Sequence, residues 1–128
     1  MMIRWLISAV AFAALGACSS EPMRDVRDLF QSAKGHAALA TGLKQYDDGD
    51  YAESAKNLQS ALDQGLADRG KVAAYKHLAF IHCVSSRERQ CRDEFRKALA
   101  VDPAMDLAPA EAGHPIWGPI FRAVKAGR

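Results

Sequence analysis

Apolar residues recur at spacings of three and four positions along most of this 128-residue chain, which is the period of an amphipathic α-helix. No stretch shows the strict alternation of apolar and polar residues that is typical of a half-buried strand. The pattern therefore predicts an all-α protein. A first helix is predicted over residues 25–48, with an apolar side made of Leu29, Ala33, Leu39, Leu43 and Tyr46.

The residues that follow predict a turn and a second helix. Gly49 suits a helix end, because glycine tolerates the left-handed backbone conformation found there. Asp50 can cap the next helix, with Glu53 three residues later as the return partner of a capping box. Leu58 and Ala61 then lie on the buried side of this second helix, and the polar segment 63–70 is predicted to be a connector.

Two further helices form a second predicted hairpin. The third helix is predicted over residues 72–84, and the fourth ends at Asp102 because Pro103 cannot continue it. Ser85 and Glu88 have the spacing of another capping box, which predicts that the fourth helix starts there.

The C-terminal residues predict a fifth helix that caps the domain. Pro119 suits a first helical position, and apolar residues follow it at helical spacing, so the helix is predicted over residues 119–126. Ile116 and Trp117 are expected to pack against the domain in the segment that leads into this helix. The segment 104–115 is predicted to be irregular but ordered, because apolar side chains interrupt it.

The two hairpins overlay when the sequence is shifted by 37 residues, so that Tyr46 falls on Cys83 and Leu58 on Phe95. The second hairpin resembles a tetratricopeptide (TPR) repeat, whose aromatic, leucine, small, aromatic, alanine and proline positions are matched here by Tyr75, Leu78, Ala79, Phe95, Ala98 and Pro103. The first hairpin resembles the same repeat through Gly42, Gly49, Tyr51, Ser54, Leu58 and Ala61.

This resemblance covers residues 36–103 and departs from the family at two positions. His82 stands where an aromatic residue is usual, and Cys91 stands where a small alanine is usual. The resemblance implies two tandem TPR-like helical hairpins, and the C-terminal helix supplies the cap that terminal repeats need.

The TPR resemblance also implies a binding surface, since the concave face of the family comes from the first helix of each hairpin. Mapping that pattern onto this chain gives five candidate contacts for a peptide or helix, namely His36, Leu39, Leu43, Lys76 and Phe80. With only two repeats, the alternative that some of these residues are simply core remains open.

The N-terminus predicts export and a lipid anchor. Arg4 precedes an apolar run over residues 5–15, which is too short to span a bilayer and fits a secretory signal. The ending Leu-Gly-Ala-Cys resembles the lipobox of bacterial lipoproteins, which implies cleavage before Cys18 and acylation of that residue. An ordinary signal peptide or an uncleaved anchor is the alternative.

The predicted organisation is therefore a cleaved lipoprotein signal peptide (1–17), a lipidated tether (18–24) and a TPR-like helical domain with its C-terminal cap helix (25–128). Ser19 rather than aspartate follows the cysteine. By similarity to the enteric sorting rule, we expect the outer membrane, with the lipid-anchored domain on the periplasmic face.

Charge and motif content narrow the function. The formal net charge of +2 falls to about +1 without Arg4, and this gives no electrostatic reason to expect nucleic acid. The chain has no Gly-x-Ser-x-Gly, no phosphate loop and no His-Glu-x-x-His. We expect no enzyme, no cofactor, no metal and no small-molecule substrate.

Three cysteines are present, and acylation of Cys18 leaves Cys83 and Cys91 as a pair in an oxidising compartment. Both lie four residues from Arg87, so they are level with each other across the predicted hairpin. A disulfide is favoured, while two reduced buried thiols or a metal or redox role remain alternatives.

Four segments together resemble the TPR-type lipoproteins associated with bacterial type VI secretion, the TssQ-like family. They are "AAYKHLAFIHC", "RQCRDEF", "KALAVDPAMDL" and "AEAGHPIWGPIF". The resemblance implies an accessory of an envelope secretion machine that contacts other proteins. The alternatives are a TPR-like lipoprotein adaptor in outer-membrane or cell-wall assembly, and a periplasmic thiol-redox protein.

Overall fold

The computed structural model describes residues 21–128, which form six helices and no strands. The predicted all-α class is confirmed for these residues, whereas the signal segment and Cys18 lie outside them. No helix of the described residues combines the length and apolarity needed to cross a bilayer. The helices are α1 (Glu21–Asp47), α2 (Tyr51–Gln64), α3 (Asp68–Val84), α4 (Glu88–Val101), α5 (Pro109–Ala112) and α6 (Trp117–Lys125).

The turn between α1 and α2 forms as the sequence predicts, with one difference. Gly49 has a φ of 81°, and the Asp50 side chain accepts a hydrogen bond from the backbone N–H of Glu53 at 3.4 Å. The Glu53 carboxylate, however, pairs with Lys56 at 2.8 Å. One hydrogen bond of the predicted capping box, from the backbone N–H of Glu53 to the Asp50 side chain, is therefore present. The Glu53 side chain pairs with Lys56 instead of returning to the backbone of Asp50.

Helix α3 begins four residues before the predicted start, and the connector shrinks to residues 65–67. Leu66 is buried in this connector, and a side chain at Gly70 would meet both Leu66 and Leu39. Gly70 thus lies inside α3, close to Leu66 and Leu39. The sequence pattern places this glycine in the connector.

The capping box predicted at the start of α4 is wrong. The backbone N–H of Ser85 donates to Ile81 and His82, so this residue ends α3. Arg87 occupies the N-cap of α4 without a capping hydrogen bond from its side chain, and the Glu88 carboxylate pairs with Arg92. The turn is so short that Ser85 cannot both end one helix and cap the next.

The first hairpin depends on a close approach of α1 to α2. A Cβ atom placed on Gly42 would lie 2.9 Å from side-chain atoms of Leu58. The hydroxyl of the fully buried Ser54 donates to the carbonyl oxygen of Gly42 at 2.7 Å. This hairpin and α3 share one apolar core, which consists of Leu39, Leu58, Ala61, Leu66, Ala74, Leu78 and Ile81.

The second hairpin packs against the C-terminal segment, and α6 covers it as the predicted capping helix. Helix α6 starts at Trp117, so Pro119 is its third residue rather than its first. Trp117 is buried in the first turn of α6, whereas Ile116 is 46% exposed and does not dock as expected. The segment 104–115, predicted to be irregular, contains the short helix α5.

We predict that Gly42→Val destabilises the protein by about 1–3 kcal/mol, because the added methyl groups would overlap Leu58 in a close-packed interface. Urea unfolding followed by circular dichroism measures this change. The exposed Ala40 of the same helix offers a matched control. Ala40→Val should lose no more than about 0.7 kcal/mol, the helix-propensity difference. Equal losses in the two variants would contradict the close approach at Gly42.

Candidate interaction groove

The five candidate contacts predicted from the TPR pattern do not form one open surface. His36 is exposed and Leu43 is half-buried, both on α1. Leu39 and Phe80 are core residues with exposures of 9% and 1%. Lys76 is mostly shielded. The side of the molecule where α1 faces α3 therefore has two halves. The open half is a cavity, and the filled half is covered by other residues of the same chain.

The open half is an apolar cavity of about 370 Å³ between α1 and the start of α3, which we call the α1–α3 groove. Its apolar lining includes Leu39, Ala67 and Ala73, and the polar side chains of His36 and Arg69 lie at its exposed rim. The residues that line it are His36, Leu39, Ala67, Arg69, Gly70 and Ala73. Two of the five predicted contacts, His36 and Leu39, thus belong to it.

The filled half is occupied by the C-terminal segment of the same chain. The indole ring of Trp117 stacks on Phe80 with ring centroids 4.2 Å apart. The indole N–H donates to the carbonyl oxygen of Glu111 at 2.8 Å, and the ring of His114 also stacks on the indole. Trp117 covers the ring of Phe80, so in this structure the predicted contact residue has almost no exposed surface.

Lys76 is engaged by this segment as well. Its ammonium group lies 3.0 Å from a carboxylate oxygen of Glu111, and both side chains are only 22% exposed. The other carboxylate oxygen of Glu111 accepts the backbone N–H of Ala108 at 2.9 Å. Within the described residues Lys76 is thus paired inside the chain, and the ion pair links α5 to α3.

Two aromatic residues that were absent from the predicted surface lie beside Lys76 and Phe80. The rings of Tyr46 and His77 meet edge to face, with centroids 4.9 Å apart. His77 Nδ1 lies 2.7 Å from the carbonyl oxygen of Ala73, so it donates there. The periodicity could have identified Tyr46, since it lies one turn beyond Leu43 on α1.

Burial shifts the pKa values of both members of this aromatic pair in the direction that favours their uncharged forms. It raises the pKa of Tyr46 to about 12. Burial also lowers the pKa of His77 below its usual 6.5, although the hydrogen bond to Ala73 opposes this shift. At neutral pH the two side chains form a neutral aromatic surface, which suits packing rather than proton transfer.

A disulfide joins Cys83 and Cys91 across the α3–α4 hairpin, with their Cα atoms 5.1 Å apart. The two residues are only 4% and 0% exposed, and they belong to the core that includes Phe80 and Phe121. Reductants and thiols in solution therefore have little access to the sulfur atoms. Among the described residues, no group of three or more histidine, cysteine or acidic residues is arranged to hold a metal ion.

Comparisons with known proteins give one informative similarity. No family model and no solved structure matches the chain. The chain is 31% identical over 75 residues to the Photosystem I assembly protein Ycf3 of Synechococcus sp. (strain CC9605). The match covers 57% of this chain and 42% of that protein, so this chain spans less than half of the length of its relative. The chain is a TPR-like helical protein.

We predict that the protein is less stable at pH 5.5 than at pH 7.5, with His77 as one cause. Because its folded pKa lies below the unfolded value of about 6.5, the unfolded state binds more protons as the pH falls through that value. The stabilisation is full above about pH 6.5 and is lost between that pH and the lowered pKa. Urea unfolding at the two pH values measures the difference.

His77→Gln should reduce this difference without abolishing it, because burial also lowers the pKa of His82. The exposed His36 on α1 provides the control, and His36→Gln should leave the difference close to that of the parent. An unchanged pH dependence in the His77 variant would show that this histidine does not contribute.

Proposed function

We propose that this protein is a lipid-anchored adaptor that holds a segment of another protein in the α1–α3 groove. The observation that carries the proposal is the contrast between the two halves of the concave side. The chain's own residues fill the half at Phe80 and Lys76, whereas the half between His36 and Ala73 remains an open apolar cavity. An open apolar groove beside a rigid core suits peptide or helix docking.

The chemistry of the groove favours a particular kind of segment. Leu39 and Ala73 provide a small apolar surface, which suits one or two aliphatic side chains. Arg69 at the rim offers hydrogen-bond donors, and its guanidinium group pairs well with a carboxylate. The bound segment should therefore present an aliphatic residue with an acidic residue close by.

The cellular setting is part of the same proposal. The lipobox-like ending at Cys18 supports acylation, and Ser19 supports the periplasmic face of the outer membrane as the location. The TssQ-like segments noted above support a role as an accessory of a type VI secretion system, with its envelope proteins as partners. The membrane is contacted through the lipid anchor, and no nucleic acid or small-molecule substrate is involved.

A second candidate is an adaptor in the assembly of outer-membrane or cell-wall complexes. The similarity to a protein named for the assembly of photosystem I favours it, because that name describes bringing other proteins together. The redox alternative has less support, since a disulfide with 0% and 4% exposed cysteines is poorly placed for thiol exchange.

We predict that Ala73→Glu abolishes partner capture from detergent-solubilised envelopes, because it places a charge within the apolar groove. The measurement is affinity purification of the full chain followed by mass spectrometry. The exposed Ala100 on α4 is the matched control, so Ala100→Glu should capture the same proteins as the parent. Thermal melting checks that both variants fold.

The identity of the captured proteins separates the two candidates. Components of a contractile secretion apparatus support the first, and proteins of outer-membrane or cell-wall assembly support the second. If Ala73→Glu captures the same partners as Ala100→Glu, the α1–α3 groove is not the docking site.

We predict that radiolabelled palmitate marks the mature protein, because acylation is expected at Cys18. Cys18→Ala should remove the label and leave the precursor uncleaved. The protein is detected by gel autoradiography and by its mass. Cys83→Ala together with Cys91→Ala serves as the control and should retain the label. Labelling that survives Cys18→Ala would contradict the proposed anchor.

A further inference from the structure

Helix α1 has a second apolar side that is exposed in the described part of the chain. Val26, Leu29 and Phe30 are 48%, 69% and 65% exposed. Their spacing of three and four positions places them on one side of the helix, with the exposed Ala33 and Ala37 continuing the same line. This apolar stripe lies opposite the side that carries Gly35, Leu39 and Gly42 into the core. The prediction that Leu29 and Ala33 share one apolar side with Leu39 is therefore wrong. A contiguous apolar patch of this kind on a protein surface often marks an interaction site.

The three large residues all lie where α1 extends beyond the first hairpin. Gly35 sits against the backbone of Gly65, just after the end of α2. Residues 21–34 therefore continue past the end of α2 for about 21 Å. In this extension, residues on the other side of α1, among them Asp28 and Ser32, border the α2–α3 connector. The apolar stripe faces away from the domain.

The size of the stripe argues against a second copy of the chain as its occupant. Its three large side chains together expose on the order of 300 Å², while a stable dimer buries about 800 Å² on each partner. The large residues are also confined to the first ten residues of a 27-residue helix instead of running along its length. A helix-paired dimer would need the longer seam.

The position of the stripe favours a lipid surface. Cys18 precedes the first residue of α1 by only three positions, so an acylated Cys18 would hold this end of the helix at the bilayer. Arg27 and Lys34 are exposed along one edge of the stripe, where ammonium and guanidinium groups can meet phosphate groups. Helices with one apolar and one charged side bury the apolar side at the headgroup boundary.

We propose that the N-terminal extension of α1 lies in the headgroup layer of the membrane that holds Cys18, with Val26, Leu29 and Phe30 directed toward the acyl chains. This inference rests on the lipid anchor of the proposed function. The helix adds a second attachment to the lipid and fixes the orientation of the domain. A domain held by its acyl chains alone could rotate freely about the tether.

The test uses tryptophan fluorescence of the lipidated full-length product, purified from envelopes and reconstituted into vesicles of phosphatidylethanolamine and phosphatidylglycerol. Phe30→Trp adds a fluorophore on the stripe, and Ala100→Trp adds one on the exposed side of α4 as the matched control. The buried Trp117 provides the common background. Half of the vesicle samples contain phosphatidylcholine brominated in its acyl chains, which quenches tryptophan on contact.

We expect the brominated lipid to remove most of the fluorescence added by Phe30→Trp and to leave that added by Ala100→Trp unchanged. Equal fluorescence of Phe30→Trp in brominated and plain vesicles overturns the proposal. Chemical crosslinking of the same vesicles tests for a dimer. Absence of quenching at position 30 together with a crosslinked dimer overturns the proposal in favour of a second copy. Because Phe30 is exposed, the substitution is not expected to disturb the fold.

The mass of each purified protein is measured before reconstitution. A protein that carries its acyl chains but shows no quenching at position 30 overturns only the helix contact. A protein without acyl chains overturns both the anchor and this inference. Partner capture by the α1–α3 groove is measured separately, so its outcome does not depend on either result.

Discussion

Each hairpin of this protein depends on one buried link between its two helices, at the position where the second helix carries a small side chain. In the first hairpin the link is the hydrogen bond from Ser54 to the carbonyl oxygen of Gly42. In the second it is the disulfide from Cys91 to Cys83. Ser54 and Cys91 are equivalent in the 37-residue overlay, and both are fully buried. The same structural requirement, a close helix approach, is therefore met once by a hydrogen bond and once by a covalent bond.

The second constraint comes from the C-terminal segment, which determines how much of the concave side is available. Trp117 covers Phe80, and Glu111 pairs with Lys76. The groove between His36 and Ala73 stays open. A TPR-like pair of hairpins has little core of its own, so it recruits residues from outside the repeats. The consequence is that only a small part of the concave side stays open.

Much of the fold could be predicted from the sequence, because it follows from local patterns. The helical periods, the turn at Gly49 and Asp50, and the 37-residue repeat identify the two hairpins and their cap. The site was less predictable. The burial of Phe80 depends on Trp117, a contact between residues that are far apart in sequence. The failed capping box at Ser85 has a different cause, since two helix ends compete for one residue in a short turn.

The depth of the disulfide sets an order of events during maturation. Cys83 and Cys91 belong to the same buried core as Trp117 and Phe121 of α6. In the folded domain both sulfur atoms are shielded, so an oxidant can reach the first thiol only before the core around it has packed. Bond formation should therefore precede the final packing of this core, which then shields the finished bond from later thiol exchange.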